Sequence, residues 1–330
     1  MKRYFLIDNF KLLTIFFVVY GHMVEPLIQR DSIIKVAYLS IYSFHMPAFV
    51  FVSGMLTSAT LSDGRVKKLV KSILVPFIVF TIMYEIFNYL MHGEFSGYTK
   101  NLQPYWLLWF LFSLFVWRLL LPVVIRFRFA IILTIIVALG AGYFRSIGYF
   151  FGISRTLYFF PFFIFGYKLA TIDFLETKFM NTPKLILLGI LAANIALFIY
   201  YYDMPHQWLY GSYSYYRLGY SDWTAAIIRL VIYAVSFLTL MSIFLIMPNK
   251  EIRTSKYGEN SLYVYVWHGF LVKILAWTGI IGFIAKLPAI VILIVLFGIS
   301  GAVTLLLSTD FVAKYTQQLI LQPANKILLK

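Results

Sequence analysis

The sequence predicts an all-α, polytopic membrane protein, a bundle of about ten transmembrane helices with both termini on the cytoplasmic side. Of its 330 residues, 62% are hydrophobic and 12% are charged, and this charged share is about half of that usual in soluble domains. Several apolar runs reach the length of about 20 residues that a helix needs to cross a bilayer. These observations exclude a disordered chain and argue against a soluble globular protein.

Each predicted helix is an apolar run, and aromatic residues or prolines mark many of the ends, as is common near membrane interfaces and helix starts. The predicted spans are 5–24, 34–60, 70–91, 104–124, 128–144, 154–170, 184–202, 222–247, 260–278 and 287–308. No small-residue cleavage site follows the first run, so we interpret it as a retained helix rather than a signal peptide.

Basic residues between the apolar runs predict the orientation. A net charge of +15 would suggest a nucleic-acid partner in a soluble protein, but here the positive-inside rule accounts for it and we expect no nucleic acid. With the N-terminus inside, the cytoplasmic segments, including Lys2, Arg3 and Lys330, hold more than twice as many lysines and arginines as the outer segments. We therefore predict N-inside and C-inside termini, and one integral membrane domain over 1–330 without an appended soluble domain.

The first span carries the most informative polar groups, because ionisable residues inside a membrane usually serve a function. Lys11 and His22 are eleven positions apart, which places them within about 20° of the same helix face and about 16 Å apart along the axis. A cation near the cytoplasm and an imidazole near the outer surface suit a site reached from both sides. Alternatively, Lys11 snorkels to the headgroups beside Asp8, and His22 is an interfacial histidine. Glu25 either orients the imidazole or starts the loop.

The second span places His45 two residues before Pro47, with Ser53 and Gly54 further on. Proline frees a backbone carbonyl, and glycine permits close helix approach. His45 either faces the same cavity as His22 or is a packed core histidine with one hydrogen bond. No triad spacing supports Ser53 as a nucleophile, so we interpret it as a packing residue.

A basic segment separates the second and third predicted spans. Its cations are Arg65, Lys67, Lys68 and Lys71. They either satisfy the positive-inside rule or form a cytoplasmic clamp for phosphate groups, such as those of coenzyme A.

Three further polar residues lie in or at the ends of apolar runs. Glu85 is a lone acid that is either protonated or paired with a base such as His22 or His45. Arg155, at the start of the sixth span, either holds an anionic group or lies at the interface. His268 lies in the ninth span, and the pattern alone gives it no function.

Other chemistries have little support. The chain has no cysteine and no His-x-x-His or Glu-x-x-His pair on one helix, so we expect no metal. It has neither a Walker motif nor a glycine-rich dinucleotide fingerprint, which argues against ATP-driven transport. The outer loop 203–221, rich in Tyr, Trp and Gly, either faces a glycan or lies on the bilayer. His92 and His206 lie in loops and are assigned no function.

Five segments in order carry a family resemblance. They are IDNFKLLTIFFVVYGH, FHMPAFVFVSG, KKLVKSILVP, RTLYFFPFFIFGYK and NSLYVYVWHG. They resemble motifs of the membrane acyltransferase-3 family, most closely of its fucose 4-O-acetylase-like branch. Lys11 and His22 match the opening motif of a basic residue, ten residues and a histidine, and Lys68 and Lys71 match the spaced basic positions. Lys11 stands where many members have arginine, which removes a bidentate contact.

The resemblance implies a bundle that moves an acyl group, usually acetyl, from cytoplasmic acetyl-CoA to a hydroxyl of a cell-surface or lipid-linked glycan. It places the protein in a bacterial plasma membrane, with the lipid bilayer, the glycan or lipid-linked saccharide acceptor and glycan-assembly proteins as partners.

It also implies residue roles. His22 would act as general base or as acyl carrier, oriented by Glu25 or Glu85. Other residues would hold the donor phosphates, line the cavity or polarise the thioester carbonyl. Those residues are Lys11, Lys68, Lys71, Arg155 and His45.

Two other functions compete with this interpretation. A polysaccharide exporter or flippase would need a substrate-sized pathway and two access states. A membrane sensor or structural subunit would explain the bundle but not the histidines within it. The stripe that carries Lys11 and His22 favours the enzyme.

Overall fold

The structure is a computed structural model that describes residues 4–145, 147–148, 150–172 and 174–329, with the backbone alone for Thr99. Within these residues it is helical and contains no strand. Lys2, Arg3 and Lys330, on which part of the orientation argument rests, lie outside the described residues, and the orientation stays a prediction.

Turns and loops of different lengths join the α-helices, and the longest connection among them joins α10 to α11. They are α1 (Phe5–Val24), α2 (Ser32–Tyr42), α3 (His45–Met55), α4 (Asp63–Leu69), α5 (Val75–His92), α6 (Gly97–Lys100), α7 (Trp109–Val124), α8 (Ala130–Ala141), α9 (Ile153–Ala170), α10 (Lys184–Tyr200), α11 (Thr224–Ile246), α12 (Ser261–Trp277), α13 (Ile280–Ile284), α14 (Ala289–Leu307), α15 (Asp310–Tyr315) and α16 (Gln322–Leu328). π-helical turns occupy Val70–Leu74 and Thr316–Leu321. Short 3-10 turns occupy Glu25–Leu27, Trp106–Leu108, Phe150–Gly152, Phe174–Glu176, Lys178–Asn181, His206–Leu209, Tyr216–Leu218 and Ser255–Asn260.

Six helical stretches among the described residues are long and apolar enough to cross a membrane. They are Phe5–Leu27, Ser32–Met55, Asp63–His92, Trp106–Val124, Thr224–Ile246 and Ala289–Leu307. The other predicted spans coincide with α8, α9, α10 and α12, of which α8 and α10 are apolar but shorter. The multi-pass membrane class is therefore confirmed, and the count of about ten spans remains a prediction.

Two segments differ from the sequence prediction. The predicted helix over 34–60 is two helices, because the chain turns between Tyr42 and His45, and it ends at Met55. The basic segment before the third span is helical rather than a loop, since α4 and a π-helical turn precede Pro76. Proline has no N–H to donate, and a local change of helix type accommodates that loss.

One compact unit contains the first helices and much of the C-terminal half. It comprises Met1–Val52, Asp173–Leu209 and Ile232–Lys314. Within it α1 packs against α12 and α14, and α2 packs against α10 and α14. This unit therefore gathers residues that are far apart in the sequence around α1.

A buried amide fixes the turn that precedes His45. The Nδ2 group of Asn194, on α10, donates to Ser43 Oγ at 2.9 Å and to Thr239 Oγ1 at 3.2 Å. A buried polar group that is hydrogen-bonded in this way specifies one arrangement of its helices. The start of α3, and with it His45, is thus set by contacts from α10 and α11.

The second compact unit comprises Ser53–Ile172, Tyr210–Val231 and Tyr315–Lys330. In it α7 and α8 pack against α9, and α16 packs against α5. The buried guanidinium of Arg229 donates to the carbonyls of Ala138 at 3.4 Å and Tyr213 at 3.1 Å and faces the ring of Tyr215. Because these bonds tie the chain after residue 210 to α8, much of the predicted outer loop is packed rather than open.

Gly54 allows a close approach between α3 and α9 within this second unit. A Cβ atom added there would lie 2.1 Å from the backbone oxygen of Phe163, and the backbone cannot yield as a flexible side chain can. We expect Gly54→Ala to lower the free energy of unfolding by about 1–3 kcal/mol, the usual cost of overpacking, measured as a lower melting temperature in detergent. Gly140→Ala, on α8 with open space around its Cβ, is the matched control and should melt at or slightly above the wild-type temperature. Equal melting of both variants would contradict the close contact.

Candidate active site

A histidine and a glutamate form a hydrogen-bonded pair where α1 ends. His22 lies in the last turn of α1 and Glu25 begins the 3-10 turn that continues it. His22 Nδ1 lies 3.0 Å from Glu25 Oε2, and the two side chains are 13% and 29% exposed. A carboxylate accepts hydrogen bonds, so Nδ1 carries the proton, and in the neutral ring Nε2 then holds the lone pair. This is the tautomer that a general base facing a substrate with Nε2 requires.

Tyr42 supports this pair from α2. Its hydroxyl donates to the same Oε2 atom of Glu25 at 3.4 Å. Its ring meets the ring of His22 edge-on at 6.4 Å and lies 4.4 Å from the ring of His45, centroid to centroid. Tyr42 thus links the pair to α3, a function that the sequence analysis missed because an aromatic residue in an apolar helix carries no distinguishing signal.

His268 comes from α12 and stacks on His22. The ring centroids are 5.4 Å apart, with 27° between the ring planes. His268 is fully buried, and its Nδ1 donates to the Val264 carbonyl at 3.0 Å. His45 is bound in the same way, since its Nδ1 donates to the Ile41 carbonyl at 3.0 Å. The His268 ring is therefore oriented by a carbonyl of its own helix, and the His45 ring, at the start of α3, by a carbonyl of α2.

The loop histidine His206 adjoins this cluster. Its ring lies 6.0 Å from that of Tyr38, which stacks on Tyr42 at 3.9 Å. Partial burial lowers the pKa of His206 from its ordinary value, while the nearby carboxylate of Glu25 acts in the opposite direction. Four of the five histidines thus lie in the first unit, a gathering that sequence spacing did not reveal.

Glu85 has a different environment. It lies in the second unit, buried, and its carboxylate accepts hydrogen bonds from the backbone N–H of Ser96, at 2.8 Å, and from the Ser96 hydroxyl. The sequence analysis offered protonation or pairing with a histidine, and Ser96 is a partner that it did not consider. Of the two glutamates predicted to orient His22, the structure shows a hydrogen-bond contact for Glu25.

The predicted donor-binding residues lie in both units. Lys11 is half-buried on α1, in the same helix as His22. Lys68 and Lys71 line a cavity of about 380 Å³ in the second unit, together with Lys67, Ser72 and residues of the C-terminal segment. The guanidinium of Arg155 lies over the ring of Trp109, 5.2 Å from its centroid. The cation–π attraction holds the guanidinium in place over the ring.

The predicted glycan-facing loop divides into buried and exposed aromatic residues. Trp208 and Tyr215 are buried, and the Tyr215 hydroxyl donates to the Leu139 carbonyl at 3.0 Å. Tyr216 and Tyr220 remain exposed. Only the exposed rings present faces on which a sugar could stack, and the choice between a glycan-facing loop and an interfacial loop stays open.

The cluster around His22 suits proton transfer. It combines a carboxylate, an imidazole whose tautomer that carboxylate fixes, and two further imidazoles that backbone carbonyls orient. Such an arrangement can take a proton from a hydroxyl and return it to a leaving group. Among the described residues, no group of three or more His, Cys, Asp or Glu side chains is arranged to hold a metal ion.

Comparison with known proteins places the chain in a family. The family model for the acyltransferase domain, Acyl_transf_3, matches residues 5–309, which include the histidine cluster and the lysines that line the cavity. No curated protein and no solved structure matches the chain. With a match over nearly its whole length and several apolar helices able to span a bilayer, the protein is a member of the acyltransferase-3 family of multi-pass membrane acyltransferases.

Proposed function

We propose that this protein transfers an acetyl group from cytoplasmic acetyl-CoA to a hydroxyl of a cell-surface or lipid-linked glycan, with His22 as the general base. The observation that carries the proposal is the 3.0 Å contact between His22 Nδ1 and Glu25 Oε2, in a chain of the acyltransferase-3 family. The motif order that likens the chain to the fucose 4-O-acetylase-like branch favours a sugar as acceptor and a bacterial plasma membrane as location.

In the proposed reaction, His22 Nε2 takes the proton of the acceptor hydroxyl as its oxygen attacks the thioester carbonyl. The carbon–sulfur bond breaks, an ester forms, and the thiolate receives the proton from the imidazolium and leaves as coenzyme A. Glu25 stabilises the imidazolium, with Tyr42 holding the carboxylate. In an alternative sequence His22 carries the acyl group itself and passes it to the hydroxyl in a second step.

The lysine-lined cavity of the second unit is proposed to bind the donor phosphates, because ammonium groups are effective point charges for phosphate. Lys11, on α1 of the first unit, is proposed as a cation that attracts the donor. His45, in the first unit, is proposed to line the acyl site, and Arg155, in the second unit, is proposed to hold an anionic group.

The test uses purified protein in nanodiscs with acetyl-CoA that is radiolabelled in the acetyl group. Loss of thioester and appearance of label in a glycan extract of bacterial membranes would support the proposal. If the protein does not bind acetyl-CoA, the donor is wrong and the exporter becomes the better explanation.

We expect Lys68→Gln and Lys71→Gln to raise the KM for acetyl-CoA about three- to tenfold each, with kcat little changed. The reason is that each change removes one ammonium contact to a phosphate, at an exposed site where such contacts are weaker than in a protein interior. The measurement is thioester cleavage against donor concentration. Lys178→Gln, an exposed lysine outside the cavity, is the matched control and should keep the wild-type KM. Equal KM values for acetyl-CoA in all three variants would show that the cavity does not bind the donor.

A further inference from the structure

His268 presents a hydrogen-bond acceptor that the protein does not use. Its Nδ1–H is donated to the Val264 carbonyl, so the neutral ring holds its lone pair on Nε2. This Nε2 atom is buried, and among the described residues it has no hydrogen-bond partner. The ring is fully enclosed, with relative exposure of 0%.

An unpaired acceptor in a protein interior costs free energy, and such groups are rare unless something else supplies the missing donor. The position of this one is informative, since the His268 ring stacks on His22 at 5.4 Å, beside the proposed reacting atoms. A core histidine with an unpaired nitrogen far from the proposed reacting atoms would not indicate a contact with substrate. The missing donor is therefore expected to arrive with the substrate.

Of the two substrates, the acceptor fits this position better than the donor. Lys11, which is proposed to bind a donor phosphate, lies in the first half of α1, and His22 and Glu25 lie at its other end. A sugar acceptor has hydroxyls on neighbouring carbons, and each hydroxyl donates one proton.

We propose that His268 Nε2 accepts a hydrogen bond from a second hydroxyl of the acceptor, on the carbon next to the one that is acylated. The acceptor is thus a vicinal diol, and His268 is a specificity-determining residue beside the base His22. The 5.4 Å between the ring centroids is comparable with the span of two hydrogen bonds of about 2.8 Å each to neighbouring oxygens. This inference rests on the proposed function, because it assigns the substrate class of the same site.

A site built to accept a hydrogen bond from one hydroxyl strongly rejects an analogue that lacks it. We therefore expect the wild-type protein to acetylate cis-1,2-cyclohexanediol with a kcat/KM about a hundredfold higher than cyclohexanol. His268→Ala should lose that preference while it still acetylates both alcohols slowly through His22. Retention of the preference in the variant would overturn the proposal.

The second measurement does not depend on turnover, and the diol is added to the wild-type protein. Protein labelled with ¹⁵N in its histidine rings is placed in nanodiscs, and the His268 Nε2 resonance is assigned with His268→Gln, or by elimination from variants of the other histidines. The diol is expected to shift this resonance saturably, and cyclohexanol and acetyl-CoA are not.

A shift of the His268 Nε2 resonance with acetyl-CoA alone would identify an N–H group of acetyl-CoA as the hydrogen-bond partner. That result would overturn the proposal. An equal shift with both alcohols, or no shift with either, would overturn it as well. Failure of the proposed function gives a different result from failure of this proposal. That result is full acetyl transfer by a His22 variant, whatever the measurements on His268 show.

Discussion

Replacing His22 with glutamine is expected to reduce acetyl transfer by at least about a hundredfold, because general-base catalysis contributes about 10²–10⁴ to rate. Glutamine is polar and similar in reach, so it can keep a hydrogen bond to Glu25, but it cannot take up a proton. The measurement is label transfer from radiolabelled acetyl-CoA, with melting temperature recorded in parallel.

The control for this change is His92→Gln, an exposed histidine of the second unit, which should transfer acetyl at the wild-type rate. Full activity of His22→Gln would show that the catalytic assignment is wrong. Quenching the reaction before acceptor is added separates the two mechanisms. Label bound to wild-type protein and missing from the variant indicates an acyl carrier, whereas turnover without protein-bound label indicates a base.

Replacing Glu25 with glutamine is the second large effect that we expect, a fall in kcat of about 10²- to 10⁴-fold. The change removes the charge that stabilises the imidazolium. An amide NH₂ facing Nδ1 also favours the tautomer whose proton is on Nε2, which is the wrong tautomer for the base. The donor KM should change little, since Glu25 is not part of the lysine-lined cavity.

Glu85→Gln is the matched control, because the sequence analysis proposed that either Glu25 or Glu85 orients His22. Its carboxylate binds Ser96 instead, so we expect kcat to stay near the wild-type value. The free energy of unfolding should fall by about 1–3 kcal/mol as a buried hydrogen bond is weakened. If Glu85→Gln lost activity and Glu25→Gln did not, the orienting role would belong to Glu85.

The sequence predicted the secondary structure well, for a simple physical reason. In a bilayer every backbone group must be satisfied within the chain, so long apolar runs form helices whatever their neighbours are. The predicted spans accordingly coincide with helices in the structure. The differences lie at Ser43, where the chain turns, after Met55, where the predicted second helix ends early, and at Val70–Leu74, where a π-helical turn precedes Pro76.

The candidate site was predicted only in part. The spacing of Lys11 and His22 within one helix is a local property, and so is the proximity of Glu25, three residues after His22. The contacts of His268 and Tyr42 with the pair depend on how α12 and α2 pack on α1, which one sequence does not reveal. The sequence analysis also missed Ser96 as the partner of Glu85, because Ser96 lies beyond the end of the helix that carries Glu85.

The sequence by itself determined that this chain is a multi-pass membrane protein, which follows from composition and hydropathy. The choice of His22 as candidate base and of Lys68 and Lys71 as candidate phosphate ligands came from motif spacing together with the resemblance to the acyltransferase-3 family. Only the tertiary structure decided which glutamate contacts His22, and that a second imidazole with an unused acceptor stacks beside it. Such choices depend on side chains that meet across helices far apart in the sequence, where packing and the pairing of buried polar groups decide the contacts.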